Sequence, residues 1–169
     1  MKLPGPLTAV AVALVATTAH AAPPQLFNKT ITISFTATGI ARLPQGGQTG
    51  FSTKVTNIIY VSDAGRLFLR YRASNRRGSM GGDVAPGEGR GSFSFQGNRL
   101  VSVLPFATGA RQLTVTFNPG FSSCTSSVIE GHSGRMIQRR APDGRVYEIT
   151  GGTTSSVSCS IQNGNAFAG

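Results

Sequence analysis

The sequence predicts an all-β fold of about ten short, mostly antiparallel strands, forming a single barrel or sandwich closed by one disulfide. Three observations support this prediction. Apolar and polar residues alternate with period two along several segments, and turn residues separate those segments at short intervals. The chain also contains 22 glycines and no stretch with convincing helical periodicity. Strands at this spacing are typical of a sandwich or an up-and-down barrel.

Residues 1–21 have the pattern of an export signal. Lys2 gives a positive start, Leu7–Ala16 is a short apolar run, and Ala19-His20-Ala21 supplies small residues at a cleavage site. The run is too short to span a bilayer, which takes about 20 apolar residues. We therefore expect a signal peptide at 1–21, a single all-β domain at 22–169 without a membrane span, and a periplasmic or secreted location.

The first half of the domain shows the clearest alternation. The segment "KTITISFTAT" places its apolar residues on one face, namely Ile31, Ile33, Phe35 and Ala37. We expect a loop over Gly39–Gly50. The strands "KVTNIIYV" and "RLFLRYRA" follow, and Ser62-Asp63-Ala64-Gly65 predicts a tight hairpin between them. A longer segment, Asn75–Gly91, holds six glycines in 17 residues and predicts a mobile surface loop.

The second half is predicted to contribute the remaining strands. They are "SFSFQ", "RLVSVLPF", "RQLTVTFN", "CTSSVIE", "GRMIQRR", "RVYEITG" and "TSSVSCSIQ". The segment "GRMIQRR" is ambiguous, because its residue types also favour helix. Cys124 and Cys159 are the two cysteines of the chain. An even pair in an exported protein predicts a disulfide, which stabilises a domain by roughly 3–4 kcal/mol at this separation.

No motif predicts catalysis, a metal site or a cofactor. "EGHSGR" resembles the G-x-S-x-G turn of hydrolases, but Arg135 replaces the second glycine and His132 directly adjoins Ser133. We interpret it as a turn between strands. Gly82–Gly87 has the spacing of a phosphate loop, yet Glu88 stands where that loop requires lysine. A single histidine after residue 21 and scattered acids make no metal cluster.

Basic residues outnumber acidic residues by 16 to 6, for a formal net charge of +10. Such an excess favours acidic partners. Candidate anion-binding arginines fall in two groups, Arg70, Arg72, Arg76 and Arg77 in the first, and Arg135, Arg139 and Arg140 in the second. Arginine binds carboxylate, sulfate and phosphate through paired hydrogen bonds. The alternative interpretation of these arginines is a solvated strand face with charged edges.

The sequence therefore favours a non-enzymatic binding protein for an acidic envelope polysaccharide, lipopolysaccharide or another anionic surface. It contains no sequence-specific nucleic-acid motif. Two alternatives stay open. One is a β-barrel carrier for a small apolar ligand. The other is a hydrolase whose carboxylate or serine site forms only on folding. Nothing in the sequence indicates the ligand's identity or the oligomeric state.

Overall fold

The computed structural model describes residues 22–42, 46–76, 78–84, 93–106, 109–130, 137–140 and 146–167. After a short 3₁₀ turn at Pro24–Leu26, these residues form ten strands. Their bounds are β1 (Lys29–Arg42), β2 (Gln48–Val61), β3 (Leu67–Asn75), β4 (Gly78–Val84), β5 (Phe93–Gln96), β6 (Arg99–Phe106), β7 (Gly109–Phe117), β8 (Cys124–Glu130), β9 (Ile137–Arg140) and β10 (Val146–Asn163). The all-β prediction is confirmed.

The strands form two antiparallel sheets. The six-stranded sheet has the order β4-β3-β2-β1-β10-β9, and the four-stranded sheet has the order β5-β6-β7-β8. Most pairs join consecutive strands, as hairpins do. The exception is β10, which returns to pair with β1 along its whole length, from Lys29 opposite Asn163 to Arg42 opposite Glu148. The two ends of the domain are thereby tied into one sheet.

The core lies between the two sheets and follows the predicted alternation. Ile31, Ile33, Phe35 and Ala37 of β1 are all at most 2% exposed. The apolar residues that alternate along β7, Leu113, Val115 and Phe117, are at most 4% exposed. Cross-strand pairing continues the apolar layer, with Ile31 opposite Ile59. Burial of these side chains supplies the main driving force for the fold.

The two sheets meet where β8 lies against β10. The disulfide between Cys124 and Cys159 crosses this junction, with a Cα–Cα distance of 5.8 Å, and confirms the predicted bridge. Val128 lies four residues after Cys124 on β8. Its carbonyl oxygen accepts a hydrogen bond of 3.1 Å from the hydroxyl of Thr154 on β10. A disulfide and a hydrogen bond therefore connect β8 to β10 at this junction.

Three element boundaries differ from the sequence predictions. The expected loop over Gly39–Gly50 is shorter, because β1 continues to Arg42 and β2 begins at Gln48. The segments "RVYEITG" and "TSSVSCSIQ", predicted as two strands, form one 18-residue strand, β10. Its pairing with β1 shifts register between Ser34 and Thr36 and between Ile40 and Ala41. Ser156 takes a positive φ of 51° where the first irregularity shifts the register.

The third correction concerns the glycine-rich segment. Residues 78–84 of the expected mobile loop Asn75–Gly91 form β4, which pairs with β3 from Asn75 opposite Gly78 to Leu69 opposite Val84. Glycine weakens a strand but does not forbid it, and here the ladder with β3 outweighs that preference. The ambiguous "GRMIQRR" segment contains strand β9. The predicted signal peptide at 1–21 lies outside the described residues.

Candidate binding face on the six-stranded sheet

The six-stranded sheet has an outer face formed by the even-numbered residues of β1, β2 and β3. Their odd-numbered neighbours point into the core, and successive side chains of a strand point to opposite faces. On β1 this face carries hydroxyl groups. On β3 it carries Phe68, Arg70 and Arg72, beside Tyr60 and Lys54 on β2. The first arginine group of the sequence analysis therefore begins on this outer face.

Arg70 is held in a fixed position by an acidic neighbour on β4. Asp83 lies opposite it in the sheet register and accepts two hydrogen bonds, from Nε at 2.7 Å and from Nη2 at 3.0 Å. These hydrogen bonds lower the pKa of Asp83 below its ordinary value, and the charge of Arg72 lowers that pKa further. The same pairing raises the pKa of Arg70. Arg70 is thus engaged within the protein.

Three aromatic rings form a cluster that contacts Arg70 through Phe167. Tyr60 and Phe68 are cross-strand neighbours with ring centroids 6.1 Å apart, and Phe167 stands edge-on to Tyr60 at 6.4 Å. The Arg70 guanidinium lies 4.5 Å from the centroid of the Phe167 ring, in cation–π geometry. We call these three rings with Arg70 and Asp83 the aromatic patch.

Phe167 reaches this face because the chain turns back after β10. The Gly164 amide donates to the Asn28 carbonyl at 2.7 Å, and the Thr30 hydroxyl donates to the Gly164 carbonyl at 2.7 Å. The Ala166 amide in turn donates to the Thr30 hydroxyl at 3.1 Å. Thr30 is fully buried although it lies on the outer face. Residues 164–167 therefore form an ordered strap across one end of the face.

Lys54, Arg72 and Arg76 are exposed cations that lie further along β2, β3 and the turn after β3, and we call them the cationic patch. Lys54 lies diagonally across from Arg72, which places such neighbours about 7–8 Å apart. Arg76 follows in the turn after β3. Lys54 was absent from the predicted arginine groups. Even-numbered residues of β2 lie on the outer face, so the alternation along β2 could have placed Lys54 there.

Gly81 of β4 explains how the sheet accommodates Arg72. The two residues are opposite each other, and a Cβ atom at Gly81 would lie 3.3 Å from Cγ of Arg72 and would collide with the Tyr71 carbonyl oxygen. The Arg72 side chain therefore passes over a strand that has no side chain of its own at that point. Glycine is required here by close approach.

The second arginine group lies elsewhere. Arg139 and Arg140 belong to β9, at the opposite edge of the six-stranded sheet from β4. Four strand spacings separate β9 from β3, which amounts to about 19 Å along the sheet. Arg77 and Arg135 lie outside the described residues. The two predicted groups are therefore not brought together into one site.

The residues that the structure describes contain no group of three or more His, Cys, Asp or Glu side chains that could hold a metal ion. They likewise contain no helix long and apolar enough to cross a membrane. His132 and Ser133 of the "EGHSGR" segment lie outside the described residues. The interpretation of that segment as a turn stays a prediction.

No protein-family model, curated protein or solved structure matches this chain. The assignment of function therefore depends on the geometry and charge of the outer face.

Proposed function

We propose that this protein is an exported, non-enzymatic binding protein that associates with an acidic polysaccharide of the cell envelope through its cationic patch. The observation that supports this most is the placement of Lys54 and Arg72 as diagonal neighbours on an exposed sheet face, with Arg76 in the adjoining turn. Like charges held this close repel one another. A polyanion lying across β2 and β3 removes that repulsion and gains charge-assisted hydrogen bonds from the two arginines.

The surroundings of the patch favour a hydroxylated polymer. The face next to Lys54 carries Thr36 on β1, and Ser34 and Thr56 form a hydroxyl pair across β1 and β2 at 3.2 Å. Hydroxyl groups both donate and accept hydrogen bonds, as the hydroxyls of a sugar do. The disulfide fits the oxidising environment outside the cytoplasm, where such polymers occur.

Retention on immobilised heparin at increasing salt tests this proposal. The parent protein should elute at a salt concentration well above that of a variant carrying Lys54→Ala, Arg72→Ala and Arg76→Ala. If each of the three cations neutralises one charge of a flexible polyanion, at about 0.7 per contact, the slope of log affinity against log salt should fall in magnitude by about 2. The expected change is in binding, because all three side chains are exposed.

The matched control removes one lysine and two arginines elsewhere, through Lys29→Ala, Arg66→Ala and Arg99→Ala. It has the same net charge as the test variant. Equal losses in the two variants would mean that only total charge matters and would contradict the proposal. Retention that does not depend on salt would contradict it as well.

A further inference from the structure

The aromatic patch combines two kinds of group that bind different parts of a sugar ring. Tyr60 and Phe68 present ring surfaces at the outer face, and Phe68 is 37% exposed. The faces of aromatic rings carry partial negative charge and attract the weakly positive C–H groups of a pyranose. Asp83 is an exposed acceptor, with 62% of its side chain accessible. An ionised carboxylate accepts hydrogen bonds from neighbouring hydroxyl groups.

We infer that the aromatic patch is a subsite for one sugar ring, stacked on Tyr60 and Phe68 and hydrogen-bonded through its hydroxyls to Asp83. The inference deepens the proposed function, since one polymer would occupy this subsite and the cationic patch together. Asp83 lies diagonally across from Phe68, about 7–8 Å away, which is a suitable span for a ring and its hydroxyl groups. Arg72 is four residues beyond Phe68 on β3, about 13 Å along the strand, and would meet an acidic residue further along the polymer.

Two features of the patch are already ordered before any ligand binds. Arg70 fixes both carboxylate oxygens of Asp83, so the acceptor does not have to be immobilised by the ligand. The strap brings Phe167 over Arg70 and edge-on to Tyr60, so the guanidinium plane is covered by the protein itself. Phe167 and Arg70 are positioning residues in this account. Tyr60, Phe68 and Asp83 are the residues that touch the sugar.

The carboxylate distinguishes a sugar from a nucleobase as the stacked ring. Aromatic side chains on a basic sheet face also suit single-stranded nucleic acid. Asp83 lies on β4 opposite Arg70 and would repel the phosphates of a neighbouring nucleotide, whereas a neutral sugar ring brings hydroxyl donors to it. The patch therefore favours a polymer in which a hydroxylated ring, not a phosphate, lies next to β4.

Binding of uronic-acid-containing oligomers and of their carboxyl-reduced counterparts tests the inference. The probes are hyaluronan oligomers, in which a neutral N-acetylhexosamine alternates with a uronic acid, and carboxyl reduction removes their charge while keeping every ring. At least one reduced oligomer should bind the parent weakly, with no dependence on salt. Phe68→Ala should weaken this binding roughly tenfold. Asp83→Asn should weaken it too, while strengthening retention on heparin, because that substitution removes a negative charge beside Arg72.

The controls are Ile129→Ala, which removes an exposed apolar side chain from the four-stranded sheet, and Asp63→Asn, which makes the same charge change in the β2–β3 turn. Neither should alter binding of the reduced oligomers. If no reduced oligomer binds, the sugar subsite is overturned, while salt-dependent binding of the acidic oligomers would leave the proposed function standing. If the reduced oligomers bind through Phe68 and the acidic oligomers bind no more tightly than the reduced ones, the proposed role of the cationic patch fails instead. Phe68-dependent binding of oligo(dT) alone would overturn the subsite in favour of nucleobase stacking.

Discussion

The inner and outer faces of the six-stranded sheet are made by the same strands and differ in burial, polarity and charge. The inner residues of β1 are apolar and almost fully buried, such as Ile33 at 0% and Phe35 at 1% exposure. The outer residues between them are threonine and serine. On β3 the outer residues are Phe68, Arg70 and Arg72. Because successive side chains point to opposite sides, adjacent residues serve folding and binding separately.

The outer face is itself divided into two regions. Toward β10 it carries hydroxyl pairs that hydrogen-bond to each other, such as Thr38 and Thr153 at 3.1 Å. Toward β4 it carries charges and aromatic rings, some paired within the protein and some exposed. The charges shown toward β10 are those of the Arg42–Glu148 ion pair at 4.0 Å, which cancel, and the proposed binding chemistry is confined to β2, β3, β4 and the strap. Substitutions of neighbouring residues should therefore have very different effects, depending on which face and which region they alter.

Phe35→Ala should produce the largest loss of stability. Its ring is buried between the sheets, and the Arg111 guanidinium of β7 lies 4.9 Å from its centroid. Loss of the ring leaves a cavity and removes that cation–π contact, at a cost of about 3–5 kcal/mol in the free energy of unfolding. Denaturant unfolding of Phe35→Ala and of Phe68→Ala makes the comparison. The outer substitution removes the aromatic pairing with Tyr60 and should cost only about 0.5–1.5 kcal/mol, and similar losses in both variants would refute the division between faces.

Removal of the disulfide should follow in size. Replacing Cys124 and Cys159 by serine frees β8 from β10 and restores conformational entropy to a loop of 35 residues in the unfolded chain. The expected loss is roughly 3–4 kcal/mol. Thermal unfolding of the variant and the parent measures it. Alkylation of two thiols in the native, unreduced protein would show that no bridge exists and would contradict the account of how the sheets are joined.

Thr30→Val should loosen the strap. The Thr30 hydroxyl is buried and bonds both to the Gly164 carbonyl and to the Ala166 amide. Valine keeps the shape and leaves those two backbone groups without the hydroxyl, at a cost of about 1–3 kcal/mol. Hydrogen exchange at the Ala166 amide should become faster. Thr32→Val, on the same face and half-exposed, is the control, and an equal effect there would show that Thr30 has no special role.

The Asp83–Arg70 pair should give the smallest effect, a loss of stability as the pH is lowered. The pKa of Asp83 is lowered in the folded protein, so the pair contributes stability at pH values above the ordinary aspartate pKa of about 3.9. That contribution is lost as the pH falls through the lowered folded pKa. Titration of the Asp83 carboxyl carbon by NMR should show a midpoint below the ordinary value. Arg70→Gln should move the midpoint upward, and an unchanged midpoint would contradict the pairing.

Much of the inner face could be predicted from the sequence, because apolar and polar residues alternate along a strand that is buried on one face. The alternation in "KTITISFTAT" correctly assigned Ile31, Ile33, Phe35 and Ala37 to the core. The disulfide was predictable because two cysteines in an oxidising environment commonly form a bridge. These predictions depended on residue type and local spacing alone, and the structure confirms them.

The candidate site was less accessible to prediction because it depends on contacts between distant residues. The Arg70 group was identified, but its pairing with Asp83 requires β4, and a glycine-rich segment gives no alternation from which to predict a strand. Gly81 is a glycine because Arg72 and Tyr71 lie against it. Phe167 reaches Arg70 only through the pairing of the first and last strands. Local pattern contains no information about such long-range neighbours.

The location of the ligand on the outer face is the central claim, and amide chemical-shift mapping tests it directly. A heparin-derived hexasaccharide would be titrated into isotopically labelled protein at low salt. The account predicts that the largest shifts fall on β2, β3, β4 and the turn at Arg76, with few in the four-stranded sheet. Shifts concentrated on β9, around Arg139 and Arg140, or on the four-stranded sheet would contradict it.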